Sequence, residues 1–193
     1  PCTVGAIGSF FVGTAWATAW SQPLYYSYGD PGGVYYENNV VYVDGTEYCS
    51  GDEYYEQAQT IATDVPEYTD EQGEEMDWLP LGVWVVTQED VAESDRLIQL
   101  AVNKDGVISG NYWNENSDVS VPLIGSVDKE TQRAAWHPTD EKNRGIVMET
   151  GVYNLTEQTT QALLHYGPDK TEQVLLVRLD QPSNDDPAPQ NAP

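Results

Sequence analysis

Short apolar stretches recur from residue 78 onward, and turn residues separate them. In one of these stretches Leu100 and Val102 alternate with Gln99 and Asn103, which is the period-two pattern of a strand with one wet face. The same pattern, rich in β-branched residues, predicts eight strands in this part of the chain. They are Leu81–Thr87, Arg96–Asn103, Val107–Asn114, Val119–Gly125, Gln132–His137, Gly145–Thr150, Ala162–Tyr166 and Gln173–Leu179.

The segments between these strands are short and carry turn chemistry. Lys104-Asp105-Gly106 and Val127-Asp128-Lys129-Glu130 are two examples. Hairpin-length connections with no helix between them indicate an antiparallel meander. Because a meander of this length protects its edges best by closing on itself, residues 76–181 are predicted to form an up-and-down β-barrel, with a β-sandwich as the alternative.

Alternation along the strands also predicts which side chains point inward. Gln99 and Arg133 fall on the opposite face, where a substitution is expected to cost about 0.5 kcal/mol or less. Trp84 is expected to help fill the interior. The predicted inward set is Ile98, Leu100, Val102, Ile108, Tyr112, Ala134, Trp136, Leu175, Val177 and Leu179.

Residues 1–75 follow a different pattern. Asp44-Gly45 between two apolar runs predicts a two-residue hairpin, because both positions of a type I′ turn need positive φ. Residues Asp52–Ala62 place Tyr54, Ala58 and Ile61 at helical spacing, which predicts a short amphipathic helix. The three predicted strands before this helix are Val34–Tyr36, Val40–Val43 and Thr46–Cys49. Residues 182–193 are Pro-rich and polar and are predicted to be a mobile tail.

The charge balance is strongly acidic. The chain has 32 Asp and Glu against 8 Lys and Arg, a net charge of -24, and its first basic residue is Arg96. Such a surface repels nucleic acid and anionic lipid, and no apolar run is long enough to predict membrane insertion. Glu71, Glu74, Glu75 and Asp77 match no calcium-binding loop, so this run is expected to be solvated. No metal ion or cofactor is predicted.

Few residues suggest catalysis. His137 and His165 are the only histidines, and the sequence contains no motif of a metalloprotease, a serine hydrolase or a nucleotide-binding enzyme. Glu149, between Met148 and Thr150, is the carboxylate most apt to lie near a core, and a glycosidase pair built on it is the weakest of three functional hypotheses. We therefore expect no catalytic activity.

Aromatic side chains are the better candidates for binding. Tyr35 and Tyr42 lie on predicted strands of the N-terminal region, and Tyr112, Trp113 and Trp136 lie on predicted barrel strands. Flat rings can stack on sugars or on another protein, although rings at such positions also commonly fill a barrel. The leading hypothesis is thus a non-catalytic module that contacts protein or glycan, and the second is a barrel that binds a small apolar ligand.

Six segments of the chain carry a resemblance to a known family. They are VYYENNVVYVDGTEY (34–48), the predicted helix Tyr54–Ala62, GNYWN (110–114), GSVDKETQRAAW (125–136), METGVYNLT (148–156) and QVLLVRL (173–179). These segments resemble a family of exported bacterial cell-surface proteins, common in planctomycetes and labelled mu-protocadherin. The resemblance implies an extracytoplasmic protein, at the cell surface or secreted, in a family with no established activity. A weaker likeness to avidin-type barrels concerns architecture alone, and no biotin-binding residue carries over.

Cys2 and Cys49 are the only cysteines, and no histidine neighbours them in the way a zinc site needs. In an exported protein such a pair suggests one disulfide, whereas in a cytosolic protein it suggests two free thiols. The resemblance to exported proteins favours the disulfide.

This pair gives a direct test. When the protein is denatured without reductant, a thiol assay should titrate no free thiol, because Cys2 and Cys49 are expected to be joined. The same assay after reduction should titrate both. Two free thiols in the unreduced protein would contradict the disulfide.

Overall fold

The computed structural model describes residues 22–66, 77–88, 91 and 94–179. Cys2 and the predicted tail at 182–193 lie outside these residues. Within them no helix is long and apolar enough to cross a membrane. The elements are β1 (Val34–Glu37), β2 (Val40–Val43), β3 (Thr46–Ser50), α1 (Gly51–Thr63), β4 (Trp78–Thr87), β5 (Arg96–Asn103), β6 (Val107–Asn114), β7 (Val119–Val127), β8 (Arg133–Pro138), β9 (Ile146–Gly151), β10 (Thr159–Tyr166) and β11 (Thr171–Arg178), with 3₁₀ turns at Glu141–Asn143 and Tyr153–Thr156.

Strands β4 to β11 form a closed antiparallel barrel. Each strand pairs with its neighbour in sequence, and β11 returns to pair with β4. The predicted eight-stranded barrel is confirmed, and the sandwich is excluded because the last strand is hydrogen-bonded to the first. Local turn chemistry explains the hairpins: Asn103 Oδ1, for example, accepts hydrogen bonds from the backbone N–H groups of Asp105 and Val107.

Apolar side chains fill the inside of the barrel. Trp84 and Trp136 are the largest fully buried residues, and aliphatic side chains from the barrel strands surround them. Tyr112 is partly buried and packs against the same cluster. The predicted inward positions on β5, β6 and β8 are therefore confirmed. The residues involved are Ile98, Leu100, Val102, Ile108, Tyr112, Ala134 and Trp136.

The inward face predicted for the last strand is wrong. Val174 and Leu176 point into the core, where at most 1% of each residue is exposed, whereas Leu175 and Val177 are only partly buried on the outer face. Leu179, also predicted inward, is exposed. Both faces of this strand are apolar, so alternation in the sequence does not distinguish them.

Arg178 stabilises the observed orientation of β11. Its guanidinium lies over the Trp84 ring, 4.6 Å from the centroid, and donates hydrogen bonds to the carbonyl oxygens of Leu81 and Leu155. Gly82, with φ of 132°, leaves room for this contact, because a Cβ there would lie 2.1 Å from Arg178 Nη1. Arg178 thus closes one end of the barrel and fixes the side-chain alternation of β11.

The N-terminal elements are formed by local signals. Asp44 and Gly45 have φ values of 51° and 75°, which confirms the predicted type I′ hairpin between β2 and β3. Helix α1 begins with a capping box, in which Ser50 Oγ accepts from Glu53 N–H and the Glu53 carboxylate accepts from Ser50 N–H. The predicted helix is confirmed and extends one residue further at each end.

Helix α1 and the sheet β1–β3 form a layer against the outside of the barrel. The helix packs on β7, β8 and β9, where Ala58 and Ile61 meet Ala135 and Val147. Ser126 Oγ donates a hydrogen bond of 2.6 Å to the Ile61 carbonyl oxygen at the end of the helix. A second cluster joins the small sheet to Leu163 on β10. The described residues 22–66 and the barrel therefore pack as one unit.

Adjacent leucines on β11 test the corrected face. Leu176→Ala should cost about 2–5 kcal/mol of unfolding free energy, because it opens a cavity in the core. Leu175→Ala, the same change one residue earlier on the outer face, should cost about 1 kcal/mol or less. Urea denaturation of both variants makes the comparison. A larger loss for Leu175→Ala would mean that Leu175, and not Leu176, points into the core.

Candidate functional site

A shallow groove lies where strands β5, β6 and β7 meet the β6–β7 turn. Trp113 on β6 is directly opposite Leu97 on β5, and both side chains are partly exposed. The turn is held by Asn114, whose Oδ1 accepts a 3.0 Å hydrogen bond from Ser117 N–H. The groove, termed the Trp113 groove, measures about 360 Å³ and is lined by Leu97, Trp113, Asn114, Glu115, Asp118 and Val119.

The other aromatic candidates lie apart from this groove. Trp136 is 1% exposed in the barrel core, and Tyr112 points inward against the same cluster. Tyr35 and Tyr42 form a cross-strand pair on β1 and β2, with ring centroids 5.0 Å apart and nearly parallel planes. Of the five predicted binding residues, Trp113 is the one placed in a concave surface.

A buried ionic cluster lies between the barrel and the N-terminal layer. Glu149 on β9 accepts hydrogen bonds from Arg133 on β8, at 2.9 Å from Nε and 2.5 Å from Nη2, and both bonds end on Oε2. Its other oxygen, Oε1, lies 3.3 Å from His165 Nε2 on β10. His165 Nδ1 lies 2.8 Å from Thr171 Oγ1. The three ionisable side chains occupy outward positions on three neighbouring strands.

Helix α1 covers this cluster. The Arg133 guanidinium lies 4.2 Å from the centroid of the Tyr54 ring, and its Nη1 donates a 2.9 Å hydrogen bond to Gln57 Oε1. Glu149 and His165 are fully buried, and Arg133 is 5% exposed. Arg133 does point away from the barrel interior, but the prediction that its substitution is cheap is wrong, since the N-terminal layer buries it.

The charges in this cluster stabilise one another. Burial alone would raise the pKa of the Glu149 carboxyl, but the Arg133 guanidinium and the hydrogen bond from His165 hold that pKa below its ordinary value. Burial alone would lower the pKa of Arg133, and Glu149 raises it instead. Each member of the pair thus favours the charged form of the other, and Nε, Nη1 and Nη2 of Arg133 and both Glu149 oxygens have partners.

Two further candidates from the sequence, His137 and Cys49, lie outside this cluster. His137 is buried, and its Nδ1 lies 2.7 Å from the Pro138 carbonyl oxygen. Cys49 on β3 is a free thiol in the described structure, and burial raises its pKa. Because Cys2 lies outside the described residues, the disulfide stays a prediction. In the described part of the chain, no group of three His, Cys, Asp or Glu side chains could hold a metal ion.

Sequence reasoning did not identify the cluster as a unit. The sequence indicates that Glu149 is a carboxylate near the core. Its pairing with Arg133 depends on the register of β8 and β9, in which Ala135, two residues from Arg133, lies directly opposite Glu149. Register of this kind, on which the contact with His165 also depends, is not visible in the sequence. A usable signal was present in the apolar face of α1, which needs a partner surface. The outward positions of β8 to β10 include the small or apolar residues Ala135, Val147 and Leu163 beside the charged ones, and these offer α1 such a surface.

Comparison with known proteins adds no assignment. No protein-family model, curated protein or solved structure matches this chain. The resemblance to exported cell-surface proteins stays a prediction, and the geometry described above carries the functional argument.

The cluster is testable by removing its charges singly and together. Arg133→Met should cost about 3–5 kcal/mol of unfolding free energy, because it leaves Glu149 buried without its cation. The double variant Arg133→Met, Glu149→Leu should cost less than the two single changes combined, since no unpaired charge is left. Arg144→Met is the control: Arg144 is exposed, and its loss should cost about 0.5 kcal/mol or less. Strictly additive losses would contradict the coupling.

The lowered pKa of Glu149 predicts a pH dependence. A carboxyl whose pKa is lower in the folded than in the unfolded chain contributes stability above its unfolded pKa of about 4.3, and loses that contribution as the pH falls through its folded-state pKa. Glu149→Gln should therefore be less stable than the parent protein at neutral pH, and the difference should shrink below about pH 4. A difference that stays constant on acidification would contradict this reading.

Proposed function

We propose that the protein is a non-catalytic module, located outside the cytoplasm, that contacts glycan at the Trp113 groove. The observation that carries the proposal is the lining of this groove. A partly exposed indole ring stands beside one amide and two carboxylates, from Asn114, Glu115 and Asp118. A flat ring can stack on the apolar face of a sugar, while the carboxylate oxygens accept hydrogen bonds from its hydroxyls and the Asn114 amide nitrogen can donate one.

The filled barrel argues against an internal ligand. Trp84 and Trp136 occupy the interior together with the aliphatic side chains around them, and Arg178 lies across one end. A ligand-holding barrel needs an open space of about 300 Å³ or more between its walls. The second hypothesis, a small apolar ligand in the barrel, is therefore less well supported than surface recognition.

The buried cluster argues against a hydrolase centred on Glu149. A general acid or nucleophile must reach a substrate, and Glu149 is fully buried beneath helix α1. Both of its oxygens already have partners in Arg133 and His165. The cluster is better explained as the attachment of the N-terminal layer to the barrel.

The charge of the molecule suggests which sugars fit. A net charge of -24, with Glu115 and Asp118 at the groove itself, repels uronic acids and sulfated sugars. Neutral or amino sugars are the class that matches. The extracytoplasmic location is proposed because the sequence resembles exported cell-surface proteins.

An oligosaccharide array with neutral, amino and acidic sugars tests the proposal. We expect binding to neutral or amino sugars and none to acidic ones, and Trp113→Ala should weaken the best interaction by about tenfold or more, because the stacking surface is removed. Isothermal titration with the best sugar from the array measures that loss.

Tyr48→Ala is the control for this experiment, since Tyr48 is an exposed aromatic residue that does not line the groove. Its affinity should match that of the parent protein. Absence of binding to every sugar, or equal affinity of Trp113→Ala, would refute the proposed site. A loss confined to Tyr35→Ala would move the site to the Tyr35–Tyr42 pair.

A further inference from the structure

Strands β11, β4, β5 and β6 are neighbours in the barrel and share an outer face on which apolar side chains lie among uncharged polar ones such as Gln99 and Asn111. Its apolar members are partly exposed side chains that alternate with core residues such as Trp84 and Ile98. This surface is termed the neutral face and is defined by Leu175, Val177, Val83, Val85, Leu97 and Trp113.

The neutral face is continuous across all four strands. Val177 is directly opposite Val85, Val85 opposite Leu97, and Leu97 opposite Trp113. Side chains opposite one another in neighbouring strands lie about 5 Å apart, so these four residues form one unbroken apolar row. Val83 and Leu175 lie on the same outer face, beside this row.

Charge is missing from this face. The charged residues of these four strands are Arg96, Glu172 and Arg178, and each occupies an inward-facing register position near the end of its strand. Yet 21% of the residues in the whole chain are charged. An apolar surface without charge, on a protein with net charge -24, has the composition of an interface.

We propose that the neutral face binds the neutral face of a second copy of this chain. The barrel is closed, so its strands offer no edge for pairing, and association there must use the outer face of the sheet. Four strands of about eight residues present roughly 500 Å² per copy, from strand spacings of about 4.8 Å and rises of about 3.3 Å. Two copies bury at most about 1,000 Å², which is the size of a weak, reversible interface.

Charge complementarity favours a copy over a charged partner. A basic partner is attracted to the acidic residues, which lie outside this face, whereas a two-fold arrangement sets neutral surface against neutral surface and leaves Glu115 and Asp118 of the Trp113 groove at the rim. The acidic surfaces of the two copies repel one another at long range. Because salt screens that repulsion, this dimer should become tighter as ionic strength rises.

Sedimentation equilibrium of the full chain at low and high sodium chloride tests the proposal. We expect a monomer–dimer equilibrium that shifts toward dimer in high salt. Val85→Glu, which puts two carboxylates into the interface, should weaken dimerisation by about tenfold or more. Circular dichroism confirms the fold of each variant. Should Val85→Glu fail to fold, Val177→Gln, which puts two polar side chains into the same interface, should also weaken dimerisation.

Val40→Glu is the matched control. Val40 is a partly buried valine on β2, in the small sheet, and the same change there should leave dimerisation within about twofold of the parent protein. A parent protein that is monomeric at both salt concentrations overturns the proposal. Equal weakening by Val85→Glu and Val40→Glu also overturns it. Because Leu97 and Trp113 belong to both surfaces, the dimer would cover the Trp113 groove, so sugar binding is measured on dilute, monomeric protein. There Val85→Glu should leave sugar binding unchanged, since Val85 does not line the groove.

Discussion

The pairing of β11 with β4 is the contact on which the rest of the molecule depends. It turns a linear meander into a closed barrel, and Arg178 holds the joint by contacting Trp84 on β4 and the carbonyl oxygens at the barrel end. Closure removes every free edge in this sheet and gives the interior a fixed volume. The two tryptophans and their aliphatic neighbours then fill that volume, which favours the proposal of recognition on the outside.

The outside of the barrel has two very different faces. Strands β8 to β10 carry the buried Arg133, Glu149 and His165 beneath the N-terminal layer, whereas the neutral face carries no charge. The contacts of Arg133 with Tyr54 and Gln57 depend on direction as well as distance. They therefore specify the position of helix α1 on the barrel in addition to stabilising its packing. Apolar packing alone would leave the position of the helix less sharply determined.

The predictable part of the fold is the part with local causes. Turn residues such as Asp44-Gly45 and single-faced alternation in β5 identified the hairpins and most strands, because those signals act over a few residues. The orientation of β11 was not predictable, since the choice depends on Arg178 meeting Trp84 far away in sequence. The burial of Arg133 likewise depends on helix α1, and the groove beside Trp113 depends on how β5 pairs with β6.

The distribution of positive charge follows from the same architecture. Two of the 8 basic residues are used within the protein, Arg133 beneath the helix and Arg178 at the barrel end, and Lys170 pairs with Glu172 2.7 Å away. The acidic residues are left to dominate the rest of the surface. A molecule built in this way repels anions over most of its area, which favours contacts at surfaces where charge is absent or can accept hydrogen bonds from neutral groups. The neutral face and the Trp113 groove are the two surfaces proposed for such contacts, and they overlap because Leu97 and Trp113 belong to both.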